Sequence, residues 1–491
     1  MKTYIVKIYF LLTLVVFFEG YTYAQDAQGL TFGGNSTDMG CSICLSPEGG
    51  YALVGTTRGN SNGANKYYFI LLDSAGQVLQ EKNYGLSNQD ILRRVIPYQL
   101  GYIMVGDGYN YWPWLYDSYF MKTDKYGNDL FSTYLQQNGW DNGFDVLPTE
   151  DANFLILGHS RVVNPKGDIS LSKIDDQGNE FWTKYFYEDF NIYAFQIIKS
   201  TDSQGYVMIG SKYGFFDVLH AEFQTHDADI LFIKVDNNGE EIWRKTYGES
   251  QHDFGNSVCQ AQDGGYYLFG SSQSYGSGSF DMLLIKTDAE GNEQWHKSFG
   301  GTSFEYGMSV AITSDNNLYL LGSSKSFGMD GSVDVYVVKT DADGVELWSE
   351  TIGGSENDFG ESLVVTPDSG CAIIGGTESF GNGGRDMYFL KLKSNGTIEV
   401  LKAYSPLVTT NEIDVFPNPM ISSSTFYIHN SIIKSVVFNL FDSNGKIVKR
   451  EKYSGNTFAI KRRSLKSGIY FFNIVSQDDT KLIFKGKLIV N

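Results

Sequence analysis

The chain has 491 residues, 57 acidic against 38 basic, for a net charge of −19. So acidic a chain is not built to bind nucleic acid or an anionic membrane surface, and its 42% apolar content excludes wholesale disorder. Aromatics at 15%, 54 glycines and only 9 prolines suit many short strands joined by tight turns.

At the N-terminus, Lys2 and Lys7 flank the start of an apolar run from Ile8 to Phe18, with Thr22 and Ala24 as small residues before Gln25. This reads as a secretory signal over residues 1–24, cut between Ala24 and Gln25. The run is shorter than the roughly 20 residues a bilayer span needs, so no transmembrane segment is expected after signal removal. Export permits disulfides, yet the four cysteines do not look like a disulfide framework. Cys41 and Cys44 lie on a strand-like stretch where positions three apart face opposite ways, poor geometry for a shared metal, and Cys44 and Cys259, at equivalent positions in two repeats, read as small core residues.

The long middle of the chain is one phrase repeated. Asp334 to Gly354 reads DVYVVKTDADGVELWSETIGG, and Asp281 to Gly301 reads DMLLIKTDAEGNEQWHKSFGG. Seven copies are marked by Gly76, Gly127, Gly178, Gly239, Gly291, Gly344 and Gly396, at spacings of 51, 51, 61, 52, 53 and 52 residues. Six carry an Asp three before the Gly (Asp73, Asp124, Asp175, Asp236, Asp288, Asp341), and Lys393 stands there in the last. Asp can accept from the amides of its own turn, and Gly takes the positive φ the turn needs. Trp182, Trp243, Trp295 and Trp348 follow four after the Gly, with Phe131 in the second copy. A large aromatic at a fixed point of an outer strand fills the space between neighbouring sheets.

Each copy opens with two more short strands, as in DFGNSVCQAQDGGYYLFGSS from Asp253 and DFGESLVVTPDSGCAIIGGT from Asp358. Four antiparallel strands per copy, with no helical periodicity, predict an all-β fold. A four-stranded unit cannot bury both faces alone, and stacking seven around an axis closes a ring. The expected architecture is a seven-bladed β-propeller over residues 30–405, with repeats at about 31–85, 86–135, 136–187, 188–248, 249–300, 301–353 and 354–405. Leu30 to Gly34, LTFGG, matches the tail of a fourth strand and can pair with the last blade, although the seventh copy has a fourth strand of its own.

The phrase KTDxxGxxxW resembles the strand-turn-strand repeat of pyrroloquinoline-quinone-type propellers. It is also similar to the Asp-box of sialidase-like propellers, although Asp stands three rather than two before the Gly and Trp four rather than three after it. Both motifs are mainly structural, so the resemblance implies a fold and no activity. The repeats as a whole look most like those of secreted bacterial propeller proteins of undefined ligand.

Residues 412–491 differ in charge and pattern. They carry 12 basic and 6 acidic residues, against 24 and 50 for Gln25 to Asn411, which marks a separate domain. Pro417-Asn418-Pro419 opens it, and about seven alternating runs predict a small, immunoglobulin-like β-sandwich. The early PNP, the hairpin FDSNGKIV, L-x-x-GIYFFNI from Leu465 and the closing GKLIV from Gly486 resemble the C-terminal sorting domain of the type IX secretion system, type A-like. That resemblance implies the type IX machinery as a partner of 412–491 and a secreted, extracellular or outer-membrane-surface location.

Chemistry is expected where the repeat is interrupted. The loop between second and third strands carries Tyr109, Tyr111, Trp112, Trp114 and Tyr116 in repeat two, and an insertion with Phe215, Phe216 and His220 in repeat four. Such rings can stack on sugar faces or grip an aromatic peptide side chain; alternatively they pack their own loops. Recurrent acids between blades (Asp38, Asp141, Asp253, Glu305, Asp358) could form a ring for Ca²⁺, although capping of identical turns explains them better. No cofactor and no metal ligand set is expected, and neither a zinc-binding H-E-x-x-H nor a G-x-S-x-G nucleophile motif occurs. The chain reads as a monomeric surface protein binding a glycan or a protein. The alternatives are a polysaccharide-degrading glycosidase or lyase and a purely structural surface protein.

Overall fold

The computed structural model describes residues 29–399 and 413–490, apart from 59–64, 86–89, 111–114, 136–140, 162–167, 189–190, 214–215, 218–221, 224–227, 417–418, 429–434, 443–444, 456, 464 and 477–481. The chain forms two compact units, divided between Ala403 and Tyr404.

Seven four-stranded antiparallel sheets make up the first unit. Their first strands are Asp38–Leu45, Ile91–Tyr98, Asp141–Pro148, Asn191–Lys199, Asp253–Gln260, Glu305–Ile312 and Asp358–Val365. Each first strand contacts the next, and the seventh contacts the first, so the ring is closed and these strands surround its axis. The burial pattern follows this geometry. Second and third strands are mostly buried, and Tyr266–Ser272 and Asp281–Thr287 are buried at every position, because blades cover both their faces. First strands alternate, as in the pattern of Asp253–Gln260, while the outer strand Glu293–Phe299 buries only Phe299.

Six sheets take their four strands from consecutive sequence. The seventh does not: Leu30–Phe32 pairs with Asp386–Leu392, with Leu30 opposite Phe389, Thr31 opposite Tyr388 and Phe32 opposite Met387. The N-terminal strand thus occupies the outer position that the seventh repeat seemed able to fill itself. Of that repeat's own candidate strand, Ile398 makes an isolated bridge to Leu392, and residues 400–411 lie outside the described residues. Leu30 and Phe32 are almost fully buried beside Ile374 and Met387, so closure is apolar as well as hydrogen-bonded.

The repeated turn works as a scaffold. Asp341 Oδ1 accepts from the amides of Asp343 (3.0 Å) and Val345 (2.8 Å), and Asp73, Asp124, Asp175, Asp236 and Asp288 do the same in their own turns. The turn glycine has φ +76 at Gly291, and a Cβ there would stand 2.9 Å from the Trp243 ring of the preceding blade. The same relation joins Trp182 to Gly239, Trp295 to Gly344 and Trp348 to Gly396. Trp and Gly of the phrase therefore meet across blades, not within one.

The second unit holds seven strands in two sheets. Ile413–Phe416, Ser423–Ile428 and Thr457–Lys461 form one; Ser435–Phe441, Ile447–Ser454, Gly468–Ser476 and Leu482–Val490 form the other. Its core centres on Phe426, which stacks on Phe458 at 5.2 Å and meets Phe472 edge-on at 5.1 Å.

Candidate binding site in the central channel

Every first strand carries a β-bulge at the same place, between Gly40 and Ser42 in blade one and between Gly360 and Ser362 in blade seven. A bulge adds one residue that opposes nothing on the partner strand and turns it out of the ladder. The seven extra residues are Cys41, Arg93, Phe144, Phe195, Asn256, Met308 and Glu361, and all seven line one cavity of about 540 Å³. Thr37, Arg58 and Asn65 also line it, so it opens on the face where first strands begin and second strands end.

The bulge needs space behind it. The carbonyl of Phe254 lies 1.8 Å from where a Cβ on Gly270 would stand, and the seven equivalent second-strand glycines all meet such a carbonyl at 1.7–2.3 Å. Neighbouring bulges are then tied together. Ser42 Oγ accepts from the Val95 amide (3.3 Å), Asp145 Oδ2 from Ile197 (3.0 Å), Gln196 Oε1 from Val258 (2.7 Å), Ser257 Oγ from Val310 (3.1 Å) and Ser309 Oγ from Leu363 (3.4 Å). A second set runs beside it: the hydroxyls of Ser211, Ser271 and Ser323 accept from the amides of Gly255, Gly307 and Gly360.

Blade two breaks the first set and alters the second. Its bulge reads Arg93-Arg94, and Arg94 cannot accept a hydrogen bond. The Val146 amide turns instead to Asp145 Oδ1 (2.8 Å), and Arg94 Nε stands 3.0 Å from the same oxygen. Asp107 replaces the serine of the second set, accepting from the Gly143 amide (3.0 Å) and from Arg93 Nε (2.6 Å). Burial raises the Asp107 carboxyl and Arg93 opposes that rise, while Asp107 raises the Arg93 guanidinium against its own burial. Arg93 also lies 4.9 Å from the Phe144 ring centroid. Each arginine is therefore neutralised by its own aspartate.

Blades three and four supply an aromatic wall. Phe144 and Phe195 meet edge-to-face at 5.4 Å, and Tyr193 backs Phe195 at 6.5 Å. Behind it, His159 stacks on Tyr193 at 4.0 Å, and burial lowers that imidazole to about 3, so it is neutral at ordinary pH. Across the ring, blade seven presents Glu361, which burial pushes up to about 7. Cys41, between the two charged blades, is pushed up to about 12 by burial, with Glu361 adding to the rise, and is a neutral thiol. It faces the channel because the bulge turns it there, while Cys44 packs with Ala52 and Leu92.

Of the residues expected to bind, the backbone of Tyr109, Tyr116 and Phe216 is described. Tyr109 and Tyr116 pair near the tip of the long second-to-third-strand hairpin of blade two, and Phe216 pairs with Phe223 in a two-residue ladder. Tyr111, Trp112, Trp114, Phe215 and His220 lie outside the described residues, as do Ala24 and Gln25. Asp38, Asp253, Glu305 and Asp358 cap turns: Glu305 accepts from the amides of Gly301 (2.8 Å) and Ser326 (3.0 Å), and Asp358 from Gly354 (2.8 Å). Among the described residues, no group of three or more His, Cys, Asp or Glu is placed to hold a metal ion. The channel residues had a sequence signal, the residue between Gly and Ser in GCS, GNS, GMS and GES, but blades two to four replace one or both flanking residues.

Residues 414–491 match the family described as secretion system C-terminal sorting domain. The chain is 28% identical over 179 residues to Regulatory protein FlaEY of Caulobacter vibrioides, covering 32% of this chain and 18% of that one. It is 28% identical over 94 residues to an endo-acting ulvan lyase of Formosa agariphila, covering 19% and 17%. The chain thus spans less than a fifth of either relative. Puromycin hydrolase superposes with a TM-score of 0.50 at 10% identity, covering 80% of this chain and 59% of that one, a likeness of fold alone. The protein is a β-propeller carrying a type IX secretion sorting domain, and it is secreted or displayed at the cell surface.

Proposed function

We propose that this is a non-enzymatic surface binding protein that receives part of a glycan or protein ligand in its central channel. One observation carries the reading. The scaffold positions repeat from blade to blade, whereas the seven bulged positions hold Cys, Arg, Phe, Phe, Asn, Met and Glu. A ring needed only as structure has no use for six different side chains at seven equivalent sites. The aromatic loops of blades two and four leave from the face on which the channel opens and would extend the contact, with Trp112 and Trp114 as outer platforms. Glycoside cleavage uses two carboxyl groups about the scissile bond. Among the described channel-lining residues, the carboxylates are Asp145, engaged by two amides, and Glu361. A signal peptide removed before Gln25 would deliver the chain to the periplasm.

The test is the mature chain on glycan and peptide arrays beside Phe195→Ala, with Trp112→Ala as a second variant. Retention on a subset of spots, lost in Phe195→Ala, is expected. Binding that survives Phe195→Ala but not Trp112→Ala would place the site on the loops. Release of reducing ends from any retained polysaccharide would make the protein an enzyme.

A further inference from the structure

Resting on that reading, we propose that the group entering the channel is an organic cation, a protonated amine or guanidinium on an apolar stem, with Glu361 as counter-charge and Phe144 and Phe195 as the wall for the stem.

The argument starts from charge balance. Arg93 is held by Asp107 and Arg94 by Asp145. Glu361 makes no hydrogen bond or ion pair with a described residue. Its nearest cation of its own blade is Arg385, and that guanidinium is committed: it pairs with Glu378 at 2.8 Å and lies 3.9 Å over the Phe359 ring. Among its described lining residues, the channel therefore holds one uncompensated carboxylate. Burying such a group without a partner is costly, and natural sites relieve the cost by pairing it or by keeping it protonated. Its equivalents are Cys41, Asn256 and Met308 in the other blades that share its flanking Gly and Ser, so nothing in the scaffold calls for an acid there.

Ring geometry sets the rest. In a seven-membered ring the position opposite blade seven falls between blades three and four. Phe144 and Phe195 stand on those two blades. A ligand with a positive end and an apolar or planar body would span the channel from Glu361 to the two rings. Guanidinium and ammonium groups match a carboxylate and tolerate aromatic faces. An anion gains little, because both arginines are already neutralised. A hard divalent ion would find a single free carboxylate where it needs six or more oxygens.

The groups that interact with Glu361 are Cys41 and Arg385 with its Glu378, while Arg93 with its Asp107 acts on Cys41. Cys41 stays neutral, and the others are charged in pairs. The Glu361 carboxyl, which burial pushes up to about 7, is thus the group whose ionisation sets binding near neutral pH.

The probes are benzylamine and agmatine, with benzyl alcohol and benzoate as neutral and anionic controls, titrated calorimetrically into the full mature chain. Both cations are expected to bind at pH 8. Binding at pH 5.5 should be roughly 30-fold weaker, because only the ionised carboxylate is competent. Glu361→Gln should abolish the pH dependence and weaken both cations at least ten-fold, with an unchanged circular dichroism spectrum. An arginine-bearing hexapeptide and a glucosamine trimer identify the source of the cation, whichever binds tighter than benzylamine. Equal binding of benzyl alcohol, or cation binding unaffected by Glu361→Gln, would overturn the proposal. If no cation binds while array ligands are still lost in Phe195→Ala, the cation is wrong and the channel reading stands. If neither depends on channel residues, both fall.

Discussion

The Phe254 carbonyl and Gly270 fix where the channel wall can bulge: a Cβ on Gly270 would lie 1.8 Å from that oxygen. The neighbour is backbone in a ladder that is itself packed against the next blade, so it has little room to move. We expect Gly270→Ala to destabilise the propeller by about 3 kcal/mol, as overpacking of a tight core does. Gly264→Ala is the control. Its φ of +89 makes alanine unfavourable, but nothing lies within 4 Å, so the cost should be only about 1 kcal/mol. Thermal melts of the two variants decide it, and equal losses would show that the bulge relaxes.

Ring closure by the N-terminal strand makes a second expectation. Phe32 is 2% exposed and packs with Leu30 of its own strand and with Ile374 and Met387, residues far away in sequence. Phe32→Ala should cost about 3–5 kcal/mol, the range for deleting a buried ring. It should also loosen blade seven first, because the strand Asp386–Leu392 loses its outer cover. Hydrogen exchange across residues 371–392 reads this directly. Uniform exchange in all blades, with an unchanged melting temperature, would mean that the seam does not limit stability.

Much of this was legible in the sequence, for a physical reason. The turn Asp, the turn Gly and the outer Trp act through local hydrogen bonds, φ and packing, which recur with the repeat. The fourth strand of blade seven was ambiguous because LTFGG and the tail of the seventh copy carry the same signal, and only tertiary pairing chooses between them. Alternation alone does not place Cys41 in the channel, because the bulge that turns it there breaks alternation at that residue. The doubled arginine of blade two carries no signal in sequence, since its meaning lies in Asp107 and Asp145 on other strands.

The turn aspartates should contribute modestly. Asp341 accepts two amides that are otherwise exposed to water, so Asp341→Ala leaves them solvated. A loss of about 1 kcal/mol is expected, and Asp341→Asn should recover most of it because its side-chain oxygen accepts the same bonds. Denaturant melts of both variants check this; a loss above that of Gly270→Ala would give the turn a role in closing the blade.

At the seam, Asp386 Oδ1 and Asp38 Oδ2 both crowd the space above Gly33, at 2.2 and 2.4 Å from where its Cβ would stand. Burial, then the Asp38 charge, pushes the Asp386 carboxyl up to about 7. Asp141, raised to about 6 by burial and by Asp117, and Glu361 shift the same way. A carboxyl raised in the folded state binds its proton more tightly there than in the unfolded chain, where it titrates near 4. Its stabilising contribution is therefore complete below about pH 4 and is lost as pH rises through about 7. The melting temperature should fall between pH 5 and pH 8, the reverse of a protein held by ionised carboxylates in that window. Asp386→Asn should flatten part of the fall. The asparagine oxygen can keep the bond from the Asn382 amide, now 2.7 Å from Asp386 Oδ2, and its amino group can donate to Asp38. Scanning calorimetry of both proteins from pH 4.5 to 8.5 tests this. A melting temperature that rises with pH in the parent, or an undiminished slope in Asp386→Asn, would remove the paired carboxylates as the cause.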